Sequence, residues 1–308
     1  MRRTLHSTVV FRGVGLHGGQ SATARIRPAD RCSGIVFVRT DLPSEVGVVP
    51  ARYDLVSDTR LCTKLTNAAG ASVSTIEHIM AALAGCGISD AVVEIDGPEV
   101  PILDGSSLSF VRGLHRSGSK VLARDSKVIQ ITETIEVEDA GRIARLLPSD
   151  VPEIAFSIRF DDPAIGEQKC EVSFSGDAFT SELAECRTFC KLSDVEALRR
   201  IGLAQGGGLE NAIVVDSGRV LNPEGLRRPD EFVRHKMLDA IGDLALAGAP
   251  IMGRYEGVLA GHEMTNRLVR ELFARPHAWE WADADDALLP SMRVIAEFAD
   301  TRAVTIAV

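Results

Sequence analysis

The sequence predicts an α+β fold arranged as two units, and three observations support this prediction. A chain of 308 residues is long enough for two domains of ordinary size. Both halves carry stretches that alternate apolar and polar residues, which is the period of a half-buried strand. Both halves also carry stretches with helical periodicity, but strands and helices do not alternate regularly as they do in α/β folds.

The first half is predicted to contain several strands and one helix. The helix is expected at residues 74–84, where apolar residues recur at helical spacing, and Gly85 and Gly87 follow as breakers. The strands are expected at residues 21–27, 35–38 and 91–95.

The second half begins after a polar stretch without periodicity at residues 116–126, which we predict to be a linker. The two domains are accordingly expected at residues 1–122 and 127–308. Strands are predicted at residues 128–131, 133–138, 155–160, 212–216 and 302–308. Helices are predicted at residues 193–200, 230–248 and 264–274.

Composition and charge argue against several classes of partner. The net charge of −9 and the isoelectric point near 5.4 disfavour a nucleic-acid-binding surface. No stretch has the ~18–20 apolar residues of a membrane span, and the N-terminus lacks the apolar core of a secretory signal. We therefore expect a cytoplasmic protein with no transmembrane segment and no nucleic-acid partner.

Residues 13–18 match the GxGxxG pattern of dinucleotide-binding folds, but their context does not fit. That pattern requires a helix to follow, so that its amide groups meet a pyrophosphate. Here an alternating strand follows from Ser21, which predicts a glycine-rich hairpin with His17 at its tip.

A row of polar residues in the helix predicted at residues 230–248 points to chemistry. His235, Asp239 and Asp243 are four residues apart each time, so their side chains fall within about 80° of arc. A helix that buries an apolar stripe has no structural need for an imidazole and two carboxylates in one row. Because His and Asp on one face can share a cation, we predict a metal site.

Two interpretations of Glu77 and His78 are compatible with the sequence. Ser74 and Glu77 have the spacing of a capping box, in which Glu77 only closes the start of the helix. Alternatively, His78 ligates the same metal as His235 and Asp239, and Glu77 is placed to accept a proton from water. Two histidines and one aspartate would leave a coordination position open, as catalytic zinc sites do.

His262 lies near the start of the helix predicted at residues 264–274, and it also has two interpretations. A helix N-terminus favours a neutral imidazole with a capping role. Pairing with Asp243 would instead raise the pKa of His262 and keep it protonated as a general acid. Lys236 is either a solvated lysine or a group that holds phosphate or a developing oxyanion.

Taken together, these motifs resemble the UDP-3-O-acyl-N-acetylglucosamine deacetylase family, zinc amidases of lipid A biosynthesis. The resemblance spans essentially the whole chain, and its motifs lie at residues 13–17, 74–85, 98–106, 187–189, 221–225, 230–244 and 261–266. It implies two α+β domains of similar topology, with helices packed between outer sheets and the active site at their junction. The implied reaction hydrolyses the N-acetyl group of UDP-3-O-acyl-N-acetylglucosamine and releases acetate.

The resemblance also implies a role for each residue of the site. The implied zinc ligands are His78, His235 and Asp239. Glu77 is implied to activate water as the general base. His262, oriented by Asp243, is implied to protonate the leaving amine. Thr188 and Lys236 are implied to hold the oxyanion.

An insertion at residues 187–216, of β-α-β form, is implied to make an apolar passage for the 3-O-acyl chain. The substrate-binding residues expected from the resemblance are Leu16, His17, Cys62, Phe189, Lys191, Leu192, Val195, Ala204, Ala212 and Val214. Cys and Lys at positions 190 and 191 replace the Gly-Phe usual in the family, so Lys191 is a candidate for a phosphate contact. We expect the UDP-sugar to be the partner and the protein to be a monomer.

Two other functions use the same residues. Two histidines and one carboxylate are also the facial triad of non-haem Fe(II) oxygenases. A metal-dependent UDP-sugar sensor without catalysis would need the same ligands. The adjacent Glu77 and the separate His262 favour hydrolysis over both alternatives.

Overall fold

The computed structural model describes residues 1–284 and 304–307 and has the mixed helix and sheet content of the predicted α+β class. In chain order the strands are β1 Arg2–Leu5, β2 Val9–Val14, β3 Ser21–Pro28, β4 Ile35–Arg39, β5 Val48–Pro50, β6 Val56–Asp58, β7 Lys64–Thr66, β8 Ser72–Val73, β9 Ala91–Ile95, β10 Ser119–Ala123, β11 Lys127–Ile131, β12 Ile135–Asp139, β13 Arg142–Leu147, β14 Glu153–Arg159, β15 Glu167–Ser173, β16 Phe189–Lys191, β17 Ile213–Asp216, β18 Arg219–Val220, β19 Ile251–Met252, β20 Arg254–Val258, β21 Trp279–Asp283 and β22 Val304–Ala307. The helices are α1 Glu77–Gly85, α2 Leu108–Ser117, α3 Gly176–Ala178, α4 Leu192–Arg200, α5 Glu231–Leu244 and α6 His262–Ala274.

Two larger sheets carry the two halves of the chain. The first has the strand order β22-β2-β3-β9-β4-β5, and the second has the order β12-β13-β20-β14-β15. The strand predicted at residues 302–308 is present at Val304–Ala307 and pairs in parallel with β2. Residues 302, 303 and 308 lie outside the described residues.

The helices lie between these sheets because each sheet presents one apolar face. In β14, Ile154, Phe156 and Ile158 are buried while the residues between them are more exposed. Helices α5 and α6 pack on the second sheet, α2 packs on β2, and α1 packs against both α2 and α5. The pair α1 and α5 therefore forms the seam between the two halves.

The polar stretch at residues 116–126, predicted to be the domain linker, contains regular secondary structure. Helix α2 continues to Ser117, Gly118 turns the chain with a φ of 68°, and β10 then pairs antiparallel with β1. The side chains of β10 are exposed or half-buried, so no core imposes an alternating pattern on this strand. For that reason the sequence of β10 is as polar as that of a loop.

The smaller elements near the site are a hairpin and a β-α-β unit. Strands β2 and β3 pair antiparallel, which confirms that residues 13–18 form a hairpin rather than a nucleotide-binding loop. Strands β16 and β17 pair in parallel, with α4 between them in the chain. Among the described residues, none of the helices is long and apolar enough to cross a bilayer.

Candidate active site

The site lies where α1 meets α5, and a glycine permits the two helices to approach. A Cβ atom on Gly242 of α5 would overlap the carbonyl oxygen of Glu77, the first residue of α1. Because position 242 has no side chain, the start of α1 rests directly on α5. His78 is thereby brought against the face of α5 that carries His235 and Asp239.

His78, His235 and Asp239 form a buried cluster whose ligand atoms all lie within 4.8 Å of one another. The Nε2 atoms of His78 and His235 are 3.6 Å and 3.3 Å from Oδ1 of Asp239. The two imidazole rings are nearly perpendicular, at 83°, with centroids 5.0 Å apart. Three ligand atoms thus converge from two helices on one point.

The hydrogen bonds around Asp239 fit a cation at this point. Oδ2 of Asp239 accepts a bond of 2.6 Å from the Lys236 ammonium, but Oδ1 has no hydrogen-bond partner among the described residues. Burying a carboxylate oxygen without a hydrogen-bond partner costs free energy. A metal ion bound to this oxygen would remove that cost. Burial opposes ionisation of Asp239, yet His235 and Lys236 hold the pKa of its carboxyl well below the usual range.

His235 is oriented for ligation by a bond on its other nitrogen. Its Nδ1–H donates to the carbonyl oxygen of Cys186 at 3.0 Å, which leaves Nε2 unprotonated and facing Asp239. Burial lowers the pKa of His235 to about 3, so the imidazole is neutral, as a metal ligand must be.

Glu77 does not cap its helix, so the capping-box interpretation is wrong. Ser74 donates its hydroxyl to the carbonyl of Pro98 at 3.1 Å, Thr75 has a φ of 56°, and the helix begins only at Glu77. The Glu77 carboxylate instead accepts a bond of 3.0 Å from the backbone N–H of Thr63. Burial raises the pKa of Glu77, which suits a group that accepts a proton.

Asp243 lies one turn of α5 after Asp239 and is hydrogen-bonded to His262. Nδ1–H of His262 donates to Oδ2 of Asp243 at 2.7 Å, and the Thr63 hydroxyl donates to Oδ1 at 2.5 Å. Burial opposes protonation of His262, but Asp243 outweighs it and raises the pKa to about 9. The charged imidazolium is therefore the form present at neutral pH. This contradicts the interpretation of His262 as a neutral residue that caps its helix.

Thr188 is positioned by a buried ion pair. Arg187 and Glu231 are 2% and 0% exposed, and Nε of Arg187 donates to the Glu231 carboxylate at 2.9 Å. This pair fixes the backbone between Cys186, whose carbonyl orients His235, and Thr188. The backbone N–H of Thr188 also donates to the carbonyl of Gly105 at 2.8 Å.

A mostly apolar cavity of about 340 Å³ extends from this region between the hairpin tip and the β-α-β unit. The predicted substrate-binding residues that line it are Leu16, His17, Phe189, Leu192, Val195, Ala204, Ala212 and Val214. Its described lining also includes Thr188 but not Cys62 or Lys191. Lys191 precedes the first residue of α4, and Cys62 is half-buried, with a pKa raised by burial to about 12.

The hairpin tip closes one side of this cavity through backbone contacts. Gln205 and Gly206 of the β-α-β unit donate their N–H groups to the carbonyls of His17 and Leu16, at 3.1 Å and 3.0 Å. The tip itself is held by Glu99, which accepts the N–H of His17 at 2.8 Å. The wall of the cavity is therefore shared between the two halves of the chain.

With this geometry established, comparison with known proteins identifies the family. The sequence profile of the family described as UDP-3-O-acyl N-acetylglycosamine deacetylase matches residues 2–274. The chain belongs to this deacetylase family. The resemblance drawn from the motifs is thereby confirmed.

Several members of the deacetylase family are similar over nearly their whole length, and each is named UDP-3-O-acyl-N-acetylglucosamine deacetylase. The protein from Phenylobacterium zucineum (strain HLK1) is 52% identical over 278 residues, covering 90% of this chain and 95% of the relative. The protein from Shewanella denitrificans (strain OS217) is 47% identical over 286 residues, covering 92% and 93%. The protein from Anaeromyxobacter sp. (strain Fw109-5) is 46% identical over 296 residues, covering 96% of each chain.

Several residues that support this deacetylase site were not predicted from the sequence. Thr63 has no pattern that distinguishes it from other threonines, because its partners lie 14 and 180 positions away. Arg187 could have been found, since it opens the motif that contains Thr188. Additional apolar residues of the cavity wall are Leu61, Leu198, Leu209 and Leu221.

Proposed function

We propose that this chain carries out the deacetylation step of lipid A biosynthesis, hydrolysing the N-acetyl group of UDP-3-O-acyl-N-acetylglucosamine to release acetate. The observation that carries the proposal is the convergence of His78, His235 and Asp239 beside Glu77 and His262. The names of the similar family members support the substrate.

His78, His235 and Asp239 are the proposed ligands, and zinc is the proposed metal. Two imidazoles and one carboxylate are a ligand set of catalytic zinc sites, which keep one position open. Zinc, when bound, supplies a Lewis acid that polarises the acetamide carbonyl and lowers the pKa of water toward ~7.

Glu77 and His262 divide the proton transfers between them. The Glu77 carboxylate accepts a proton from the attacking water, and its position is fixed by the N–H of Thr63. His262 enters the reaction protonated, because Asp243 raises its pKa to about 9, and gives its Nε2 proton to the leaving nitrogen. One group is ready to accept and the other to donate in the same pH range.

Lys236 and Thr188 stabilise the negative charge that develops on the carbonyl oxygen. The Lys236 ammonium lies 2.6 Å from Asp239, so a positive charge is already in place beside the proposed metal ligands. Burial lowers the pKa of Lys236, but Asp239 outweighs this effect and raises it, so the charge is retained. Fixed donors of this kind stabilise a transition state at little reorganisation cost.

The apolar cavity receives the 3-O-acyl chain, and polar groups at its mouth receive the sugar nucleotide. Phe189 stands at the junction, in edge contact with the Phe232 ring at a centroid distance of 4.9 Å. Phe189 is half-buried, and its ring is the proposed contact to the nucleotide-sugar. Lys191, which follows two residues later and lies outside the cavity, offers its ammonium to a phosphate.

We propose that the enzyme is a cytoplasmic monomer with two domains, residues 1–122 and 127–308. Glu77 and His78 come from the first domain and the other proposed catalytic and metal-binding groups from the second, so one chain supplies all of them. The six cysteines are unpaired, which fits a reducing compartment.

The proposal is tested by measuring acetate release from purified, zinc-loaded protein with UDP-3-O-acyl-N-acetylglucosamine. We expect turnover that a chelator abolishes and zinc restores. The substitutions Glu77→Ala and His262→Ala should each lower kcat by roughly 10²–10⁴, the usual contribution of general acid–base groups. Turnover within about threefold of the wild type in either variant would contradict these roles.

The same assay separates the two alternatives. A facial-triad oxygenase needs oxygen, so acetate release under anaerobic conditions and without a 2-oxo acid excludes it. A sensor binds the UDP-sugar without releasing acetate, so binding without turnover in the zinc-loaded protein would replace our proposal with that function.

A further inference from the structure

We propose that Thr63 is a positioning residue that couples the general base to the general acid, and this inference rests on the proposed function. Thr63 lies between β6 and β7 in the first half of the chain and is only 1% exposed. It donates one hydrogen bond to Glu77, the proposed general base, and one to Asp243, the partner of the proposed general acid His262.

The backbone of Thr63 fixes the base. Its N–H donates to Oε2 of Glu77 at 3.0 Å, and its carbonyl accepts the N–H of Ile76 at 3.4 Å. Two consecutive residues at the start of α1 are thus tied to the backbone of one residue. This contact holds Oε2 of the Glu77 carboxylate, whereas Oε1 accepts no hydrogen bond from the residues that the structure describes and is the oxygen offered to water.

The side chain of Thr63 fixes the acid through its partner. Its hydroxyl donates to Oδ1 of Asp243 at 2.5 Å, while Oδ2 of Asp243 accepts from His262 at 2.7 Å. Among the described residues this hydroxyl is the donor that satisfies Oδ1. With both oxygens engaged, the carboxylate plane is locked, and so is the direction in which the imidazole points.

The contact also crosses between the two halves of the chain. Glu77 and Thr63 belong to the first half, whereas Asp243 and His262 belong to the second. A hydroxyl that served packing alone could be replaced by a methyl group of the same shape. A hydroxyl that orients Asp243 cannot, because the buried oxygen would lose its donor.

The substitutions Thr63→Val and Thr63→Ser separate these two roles. Valine keeps the shape and the backbone N–H to Glu77 but removes the hydroxyl, whereas serine keeps the hydroxyl and removes a methyl group. For Thr63→Val we expect kcat to fall about tenfold to hundredfold, the range of a hydrogen bond to a charged group. KM should stay within about twofold, and Thr63→Ser should keep kcat within about threefold of the wild type.

A double-substitution cycle with Asp243→Ala, which removes the acceptor of the Thr63 hydroxyl, tests whether Thr63 acts through Asp243. If it does, adding Thr63→Val to Asp243→Ala should lower kcat by less than about twofold further. Independent, multiplicative losses would overturn the proposal, as would wild-type kcat in Thr63→Val or failure of Thr63→Ser to restore it. If Thr63→Val fails to fold by circular dichroism, Thr63→Ala takes its place in the cycle.

A measurement without substrate distinguishes this inference from the proposed function. The Nδ1 proton of His262, assigned in nitrogen-edited NMR spectra by its absence in His262→Gln, should shift or exchange faster in Thr63→Val but not in Thr63→Ser. An unchanged signal in Thr63→Val would contradict the coupling even if the wild type releases acetate. A wild type that releases no acetate contradicts only the proposed function.

Discussion

At the scale of single residues, the charge of His262 links the structure to a pH profile. Asp243 raises the pKa of His262 to about 9, so the donating imidazolium persists well above neutrality and is lost as the pH rises through that value. We predict that kcat falls on the alkaline side near that pH. In Asp243→Asn the negative partner is gone and burial dominates, so this limb should move to lower pH by at least about one unit.

The profile is measured as kcat against pH for both proteins with saturating substrate. Asp30→Asn serves as a control, because it removes a carboxylate that is exposed and leaves the His262–Asp243 bond untouched. An alkaline limb at the same pH in Asp243→Asn would show that another group donates the proton.

Two aspartates one turn apart on α5 should behave differently toward metal. Asp239 presents an unpartnered oxygen to His78 and His235, whereas both oxygens of Asp243 are already bonded. We predict that Asp239→Asn weakens zinc affinity by more than about 100-fold, while Asp243→Asn changes it by less than about tenfold.

Metal content after dialysis against a competing chelator measures this difference directly, with no substrate present. Equal metal loss in both variants would mean that Asp243 is also a ligand. Retention of metal in Asp239→Asn would remove this residue from the cluster.

At the scale of elements, the contact between α1 and α5 depends on one missing side chain. A methyl group on Gly242 would overlap the Glu77 carbonyl, and backbone cannot yield as a side chain does. We predict that Gly242→Ala lowers the free energy of unfolding by about 1–3 kcal/mol and weakens metal binding, because the ligands from the two helices separate.

Chemical denaturation measures the loss of stability, and Gly97→Ala is the matched control. Gly97 has no heavy atom within 4 Å of the added carbon and no positive φ, so alanine there should be neutral. A stable Gly242→Ala protein with normal zinc affinity would show that the helix contact is looser than the structure indicates.

At the scale of the whole molecule, the apolar cavity joins the hairpin of the first half to the β-α-β unit of the second. Ala212 is 6% exposed and lines this cavity. We predict that Ala212→Phe blocks a long 3-O-acyl chain and lowers kcat/KM for such substrates about tenfold or more. Substrates with a 3-O-acetyl group should be processed as before.

The ratio of kcat/KM values for long and short acyl groups is the measurement that checks this prediction. Ala197→Phe on α4 is a matched control, because Ala197 is exposed and does not line the cavity. Equal losses for both substrates in Ala212→Phe would indicate general damage and contradict the assignment of the passage.

Much of the fold and of the metal cluster could be predicted from the sequence, because their patterns are local. The four-residue spacing on α5 predicts a shared face, and α5 places His235 and Asp239 there. Strand β15 was missed because it is an edge strand on which only Val172 is buried, so no alternation of apolar residues marks it.

Tertiary partners could not be predicted in the same way. Ser74 and Glu77 fit a local capping motif, but the actual partners are Pro98 and Thr63, brought near by the fold. A short motif describes only what neighbouring residues could do for each other. The fold decides which of those contacts forms.

The contact between the hairpin tip and the β-α-β unit limits which substitutions can accumulate there during evolution. Peptide groups of Gln205 and Gly206 make its two bonds, and any residue except proline supplies the same donor. Gly206 is further constrained, since a side chain there would strike the Gly15 carbonyl. Substitutions of Leu16 or His17 can therefore change the wall of the apolar cavity while both of these hydrogen bonds are kept.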